Sequence, residues 1–80
     1  MANKYNINKI KLGYYIKEKR IEKNLNRDEL AYKIKIFKRA LVNIENGYSY
    51  PSLITAAKIE LILKIDILDF LKNLIKVKIK

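Results

Sequence analysis

Along this 80-residue chain the apolar side chains return at two different spacings. Over most of the length they recur every three to five positions, separated by Lys, Glu and Asn, the pattern of helices that each bury one stripe. In the last six positions Ile75, Val77 and Ile79 alternate with Lys76, Lys78 and Lys80, the pattern of a strand with one apolar face. Tyr5 and Ile7, continued by Lys9, alternate more weakly at the other end. The tail reads equally as a short strand, paired with the N-terminal end or with the tail of a second copy, and as a solvated, frayed Lys-rich end.

The stripes and their flanking residues predict five helices. The first covers residues 9–24, with Leu12, Tyr15, Ile16 and Ile21 recurring on it, Asn8 as a candidate cap and Asn24 at its end. The second opens at Asn26, whose side chain can accept a backbone N–H, and Glu29 stands three residues on, as in a capping box. Asp28 and Glu29 suit the positive end of the helix dipole, and Leu30, Ala31 and Ile34 form the apolar face. A third helix covers 38–46 with Leu41 and Ile44 inward, ended by Asn46-Gly47. Ser52 caps a fourth, with Leu53, Ala56, Ala57, Ile59 and Leu63 inward. Asp66 caps a fifth, with Asp69 three residues on and Ile67, Phe70 and Leu71 as its core face. One Pro and two Gly leave little to break these helices. The expected class is all-α with one domain at 9–72, a loose arm at 1–8, and a basic tail at 73–80 in which a dimerising strand is one alternative.

Composition narrows the function. Eighteen Lys and Arg against eight Asp and Glu give a net charge of +10. An excess of that size repels itself unless an anion is near, and nucleic acid, a phospholipid surface and an acidic protein are the usual partners. The bland alternative is that Lys keeps the protein in solution in a chain enriched in Lys, Ile, Asn and Tyr together. Cys, His and Trp are absent. Disulfides and thiol chemistry are thereby excluded, zinc loses its usual ligands, and acid–base catalysis loses its commonest group. With no paired carboxylates either, the chain reads as a non-enzyme without metal or cofactor. The longest apolar run is too short to span a membrane, and MANKYNINK lacks the apolar centre of a signal peptide, so a cytoplasmic protein is expected. A chain of this length leaves no room for a ligand-sensing domain, and no small-molecule ligand is expected.

Two short helices joined by about three residues, each with one apolar face, make a helix-turn-helix candidate. Many small bundles share that outline, so residue detail decides. Leu12-Gly13 with Ile16 and Arg20, then Leu25-Asn26-Arg27-Asp28-Glu29-Leu30-Ala31, then Leu41-Val42-Asn43-Ile44-Glu45-Asn46-Gly47 follow in order. Pro51-Ser52-Leu53 and Ile65-Asp66-Ile67-Leu68-Asp69-Phe70-Leu71 complete the series. Residues 12–71, about three quarters of the chain, resemble the Cro/cI-type helix-turn-helix family of phage repressors and small bacterial regulators. The resemblance implies a lambda-repressor-like five-helix bundle. It also implies sequence-specific binding of double-stranded DNA by a transcriptional regulator, a repressor rather than an activator, acting as a dimer on a palindromic operator.

The resemblance further implies roles for particular residues. The third helix of the family lies in the major groove, where its N-terminal residues reach base edges. The matching positions here are Lys38, Arg39, Val42 and Asn43. Arg39 suits guanine O6 and N7, Asn43 suits adenine or a phosphate, and Val42 suits a thymine methyl. Arg27 stands where the family often places a phosphate-binding Gln, and Asn46 and Tyr48 lie in the loop that approaches the backbone. Lys33, Lys35, Lys38 and Arg39 crowd residues 33–39 without an acid, which adds Lys35 to the phosphate contacts. All these positions also read as an ordinary solvated surface, and Tyr48 as a ring packed on the core. Arg20 and Glu45 match a family ion pair that fixes the third helix, and so read as structural.

Two departures stand out. Lys35 lies near the place where the family commonly has Gly, and a Lys with positive φ is strained. Phe37 replaces the usual Ser or Thr cap of the third helix. The turn is therefore expected to be longer or differently shaped. For the dimer, Ile54, Leu61 and Leu68 fall on outward positions of helices four and five, and Leu74, Ile75 and Val77 extend the patch. A monomer whose tail folds back on its own core remains the alternative. Two rival functions stay open: a protein-binding module such as an antitoxin-like partner, which Phe37 and Val42 favour, and a basic protein lying on anionic membranes.

Overall fold

In the computed structural model, which describes residues 7–75, five α-helices follow one another with short turns between them. They are α1 (Ile7–Glu22), α2 (Arg27–Ile34), α3 (Lys38–Glu45), α4 (Leu53–Leu63) and α5 (Ile67–Ile75). Among the described residues there is no strand. Each stripe meets its neighbours: α3 packs against α1 and α2, α4 against α2, and α5 against α1. The shared core is Leu12, Ile16, Leu30, Ala31, Ile34, Leu41, Ile44, Ile59, Leu63 and Ile67, all buried. Tyr15 and Phe70 join α1 to α5 by stacking their rings, with centroids 4.1 Å apart.

The starts of α2, α4 and α5 are set by polar side chains that accept their first N–H groups. Asn26 Oδ1 accepts from the Glu29 N–H at 2.8 Å while Glu29 Oε1 accepts from the Asn26 N–H at 2.8 Å, a reciprocal capping box. Ser52 Oγ accepts from the Thr55 N–H and Asp66 Oδ1 from the Asp69 N–H. A second carboxylate serves α5 from outside: Glu60 Oε2 accepts the Ile67 N–H at 2.7 Å.

The helix ends share one device. Asn24, Lys35 and Lys64 take left-handed conformations, with φ of 58°, 56° and 59°. Each is followed by a half-buried apolar residue, Leu25, Ile36 or Ile65, that packs on the core. At the first two the chain closes with the six-residue bond of a Schellman turn, from the Leu25 N–H to Arg20 O and from the Ile36 N–H to Ala31 O. Burial of the apolar residue offsets the strain, about 1–2 kcal/mol, of a left-handed residue that has a Cβ. The turn between α2 and α3 is accordingly the short three-residue one, Lys35-Ile36-Phe37, and not longer.

Several sequence expectations are corrected. Asn8 lies inside the first turn of α1 and does not cap it, because Ile7 is already helical. Ile21 is exposed, one turn past the last core contact. Leu53 and Ala57 face solvent; α4 is apolar nearly all round, so its periodicity does not say which side meets α2, and Ile59 and Leu63 fill that place. Ile75 ends α5 and is not the start of a strand, so residues 73–75 are helical. Val77, Ile79 and Tyr5, the other alternating positions, lie outside the described residues, as do residues 1–6 and 76–80 in full.

Candidate nucleic-acid interface

The inner face of α3 is Leu41, Ile44 and Glu45, all buried. Glu45 is the unusual member, a carboxylate whose side chain is fully enclosed. Its Oε2 accepts from Arg20 Nε at 2.7 Å, and its Oε1 accepts from Arg20 Nη2 at 3.1 Å. Arg27 Nε donates to the same Oε1 at 2.9 Å. Arg20 Nη1 also donates to Leu25 O at 2.8 Å. One carboxylate thus joins α1, the start of α2 and the end of α3, and Arg20 carries the tie on to the α1–α2 turn. A forked, charge-assisted arrangement of this kind fixes orientation as well as position.

Two glycines let the backbones approach. A Cβ on Gly13 would lie 2.3 Å from Ile44 O and 2.7 Å from Glu45 O, so α1 touches the end of α3 there. Gly47 has φ of +81°, and a Cβ on it would lie 2.7 Å from Ile10 Cα. Between them the two contacts hold both sides of the α3 C-terminus against α1.

With its inner side so held, α3 turns Lys38 and Arg39 to solvent, and Val42 and Asn43 stand half-buried beside them. Arg39, Asn43 and the exposed Asn46 follow at four- and three-residue steps, one continuous outer face. Lys38 Nζ lies 3.4 Å from Asp28 Oδ1, so the start of α2 supplies an acid to the rim of the cationic cluster. Lys35 occupies the left-handed turn position, exposed, its Nζ 6.0 Å from the Tyr32 ring centroid. Asn46 is the C-terminal cap residue of α3, and Tyr48 is exposed, its backbone N–H donating to Asn43 O at 2.9 Å.

Of the residues expected at the site, Lys38, Arg39, Val42, Asn43 and Asn46 share the outside of α3, with Lys35 and Tyr48 at its two ends. Arg27 is placed differently, since its Nε is engaged with Glu45. Sequence reasoning missed that bond because the partners lie 18 residues apart on different helices. It missed the Lys38–Asp28 pair for the same reason. Phe37, read as a poor cap, makes no side-chain cap bond and is 86 % exposed.

The apolar candidates for self-association divide into two places. Ile54, Leu61, Leu68 and Ile75 face solvent on α4 and α5. Leu74 is half-buried and lines a groove toward α1 with Ile10, Tyr14 and Phe70. Among the described residues no three acidic side chains gather as a metal site requires, and no helix is long and apolar enough to cross a membrane.

Two short helices set by a three-residue turn, the second presenting a cationic outer face, define a helix-turn-helix module. A model of the helix-turn-helix family matches residues 16–70. The chain belongs to that family, the Cro/cI-type DNA-binding regulators. One relative is the ImmF control region 10 kDa protein of Bacillus phage phi105, 39 % identical over 57 residues, which are 71 % of this chain and 63 % of that protein. The match therefore spans a little under two thirds of the phage protein.

Proposed function

We propose that this protein is a transcriptional repressor that reads a palindromic site in double-stranded DNA as a homodimer. The observation that carries the proposal is the division of α3 into a locked inner side and an outer side bearing Arg39, Val42 and Asn43. A helix so placed fits the major groove, whose base edges distinguish all four pairs. Arg39 reads guanine, Asn43 adenine, and Lys38 and Val42 the flanking bases. Lys35, Asn46 and Tyr48 hold phosphates and set the register. Arg27 reaches a phosphate from its place on Glu45. The control-region name of the phage relative supports a regulatory role in this chain as well.

The homodimer rests on Ile54, Leu61, Leu68 and Ile75, large apolar side chains left in water on one protomer. A two-fold pair of α3 helices then meets half-sites about one helical turn apart. The protein acts in the cytoplasm, without cofactor or small-molecule ligand.

Selection of bound duplexes from a random pool, followed by salt titration, tests the proposal. The expected result is an enriched motif with two-fold symmetry, whose affinity falls steeply and linearly on a log–log salt plot. Equal recovery of all sequences, or binding to anionic vesicles with no preference among duplexes, would overturn it.

A further inference from the structure

Phe37 has no evident use inside the molecule. Its backbone is well used: φ of −70° and ψ of 145° are cap geometry, and its carbonyl accepts the Ala40 and Leu41 N–H groups at 3.0 and 3.3 Å. Its side chain makes no cap bond and is 86 % exposed. The ring therefore adds little to the core and nothing to the cap, where Ser or Asn would serve better. It stands at the leading end of α3, where it walls a shallow notch with Ala40, beside Lys38, Arg39 and Asn43.

We infer that Phe37 determines specificity by packing its ring on the C5-methyl group of a thymine in the major groove. The inference rests on the DNA reading of α3 and extends it to a residue outside the set Lys38, Arg39, Val42 and Asn43. The N-terminal end of such a helix is the part that reaches base edges. In the major groove the apolar feature a base presents is the thymine methyl, and Phe is among the side chains that contact it. The cations at the notch, Lys38 and Arg39, match a polyanion. They bring the ring to the duplex, and the ring then adds a contact that phosphate binding does not supply.

The test replaces one methyl group. Duplexes carrying the motif selected by the full chain are remade with deoxyuridine at each thymine in turn, which removes the C5-methyl and leaves the pairing edge intact. At one position in each half-site the wild-type chain is expected to bind the deoxyuridine duplex about fourfold more weakly, the effect of losing one buried methyl. Phe37→Ala is expected to bind both duplexes alike, and Phe37→Leu to keep part of the preference. Circular dichroism on both variants confirms that the helices are retained. Wild-type binding that is indifferent to uracil at every position overturns the inference alone, as does an undiminished preference in Phe37→Ala. A pool that yields no motif overturns the DNA reading and this inference together.

Discussion

The two helices of the motif are the same length, eight residues each, and are held by opposite means. Helix α2 is specified within its own segment. Asn26 and Glu29 cap its start reciprocally, Asp28 and Glu29 suit its dipole, and a Schellman turn closes its end. Helix α3 has no side-chain cap, no acid in its first turn and no basic residue in its last. What fixes α3 comes from elsewhere in the chain: Arg20 and Arg27 on Glu45, the contact of Gly13 with its last carbonyls, and the core under Leu41 and Ile44. An isolated helix of this length is unstable in water, so α3 depends on those tertiary contacts. Because these anchors lie on the inner side, the outer side bears little structural duty beyond the exposed Lys38–Asp28 pair.

The largest expected effect cuts the anchor of α3. Glu45→Ala leaves Arg20 buried without its carboxylate and releases Arg27. Breaking a buried pair in this way costs about 3–5 kcal/mol. A domain of this size has roughly 4–12 kcal/mol in total, so the change removes from about a quarter of the stability to all of it. Urea unfolding measures the loss. Native-state hydrogen exchange sharpens the comparison, since α3 amides should lose protection before those of α2. A loss below about 1 kcal/mol would show that the network is electrostatically idle.

A smaller effect is expected at the start of α2. Asn26→Ala removes the acceptor of the Glu29 N–H and half of the capping box, at a cost of about 1 kcal/mol. The same urea experiment reads it. Here α2 should fray at its first turn while the Arg20–Glu45 geometry stays in place. If Asn26→Ala costs as much as Glu45→Ala, the contrast between a locally and a distantly specified helix fails.

The same contrast explains what the sequence made legible. Starts governed by a residue and its third neighbour, Asn26 with Glu29, Ser52 with Thr55 and Asp66 with Asp69, can be read from spacing alone. The burial of Leu41 and Ile44, and with it the outward turn of Arg39, follows from helical periodicity. Three features were not legible. Leu53 and Ala57 read as inward because α4 is apolar nearly all round, and burial there is decided by where α2 lies. Arg27 reads as a phosphate contact, and its bond to Glu45 is invisible in the sequence because that carboxylate stands on another helix. The end of α5 at Ile75 is hidden by alternation with Lys, which reads equally as a strand or a frayed end, because the stack of Tyr15 on Phe70 that seats α5 on α1 has no local signal.

The smallest effect has the opposite sign and separates the two helices most cleanly. Phe37→Ser places a hydroxyl where Asn26 and Ser52 already show what a cap does in this chain. The backbone at 37 has the extended conformation a cap needs, so no rearrangement is required. Loss of a ring that is 86 % exposed removes little packing. The net expectation is a gain of roughly 0.5–1 kcal/mol from the new acceptor, or a rise in melting temperature of about 2–8 °C for a domain of this size. Measurement at equal protein concentration keeps association from masking it. A destabilised Phe37→Ser would mean that the ring holds α3 to the body. A stabilised one would mean that the native residue forgoes a cap in favour of a contact outside the chain, the trade of stability against function found at binding sites.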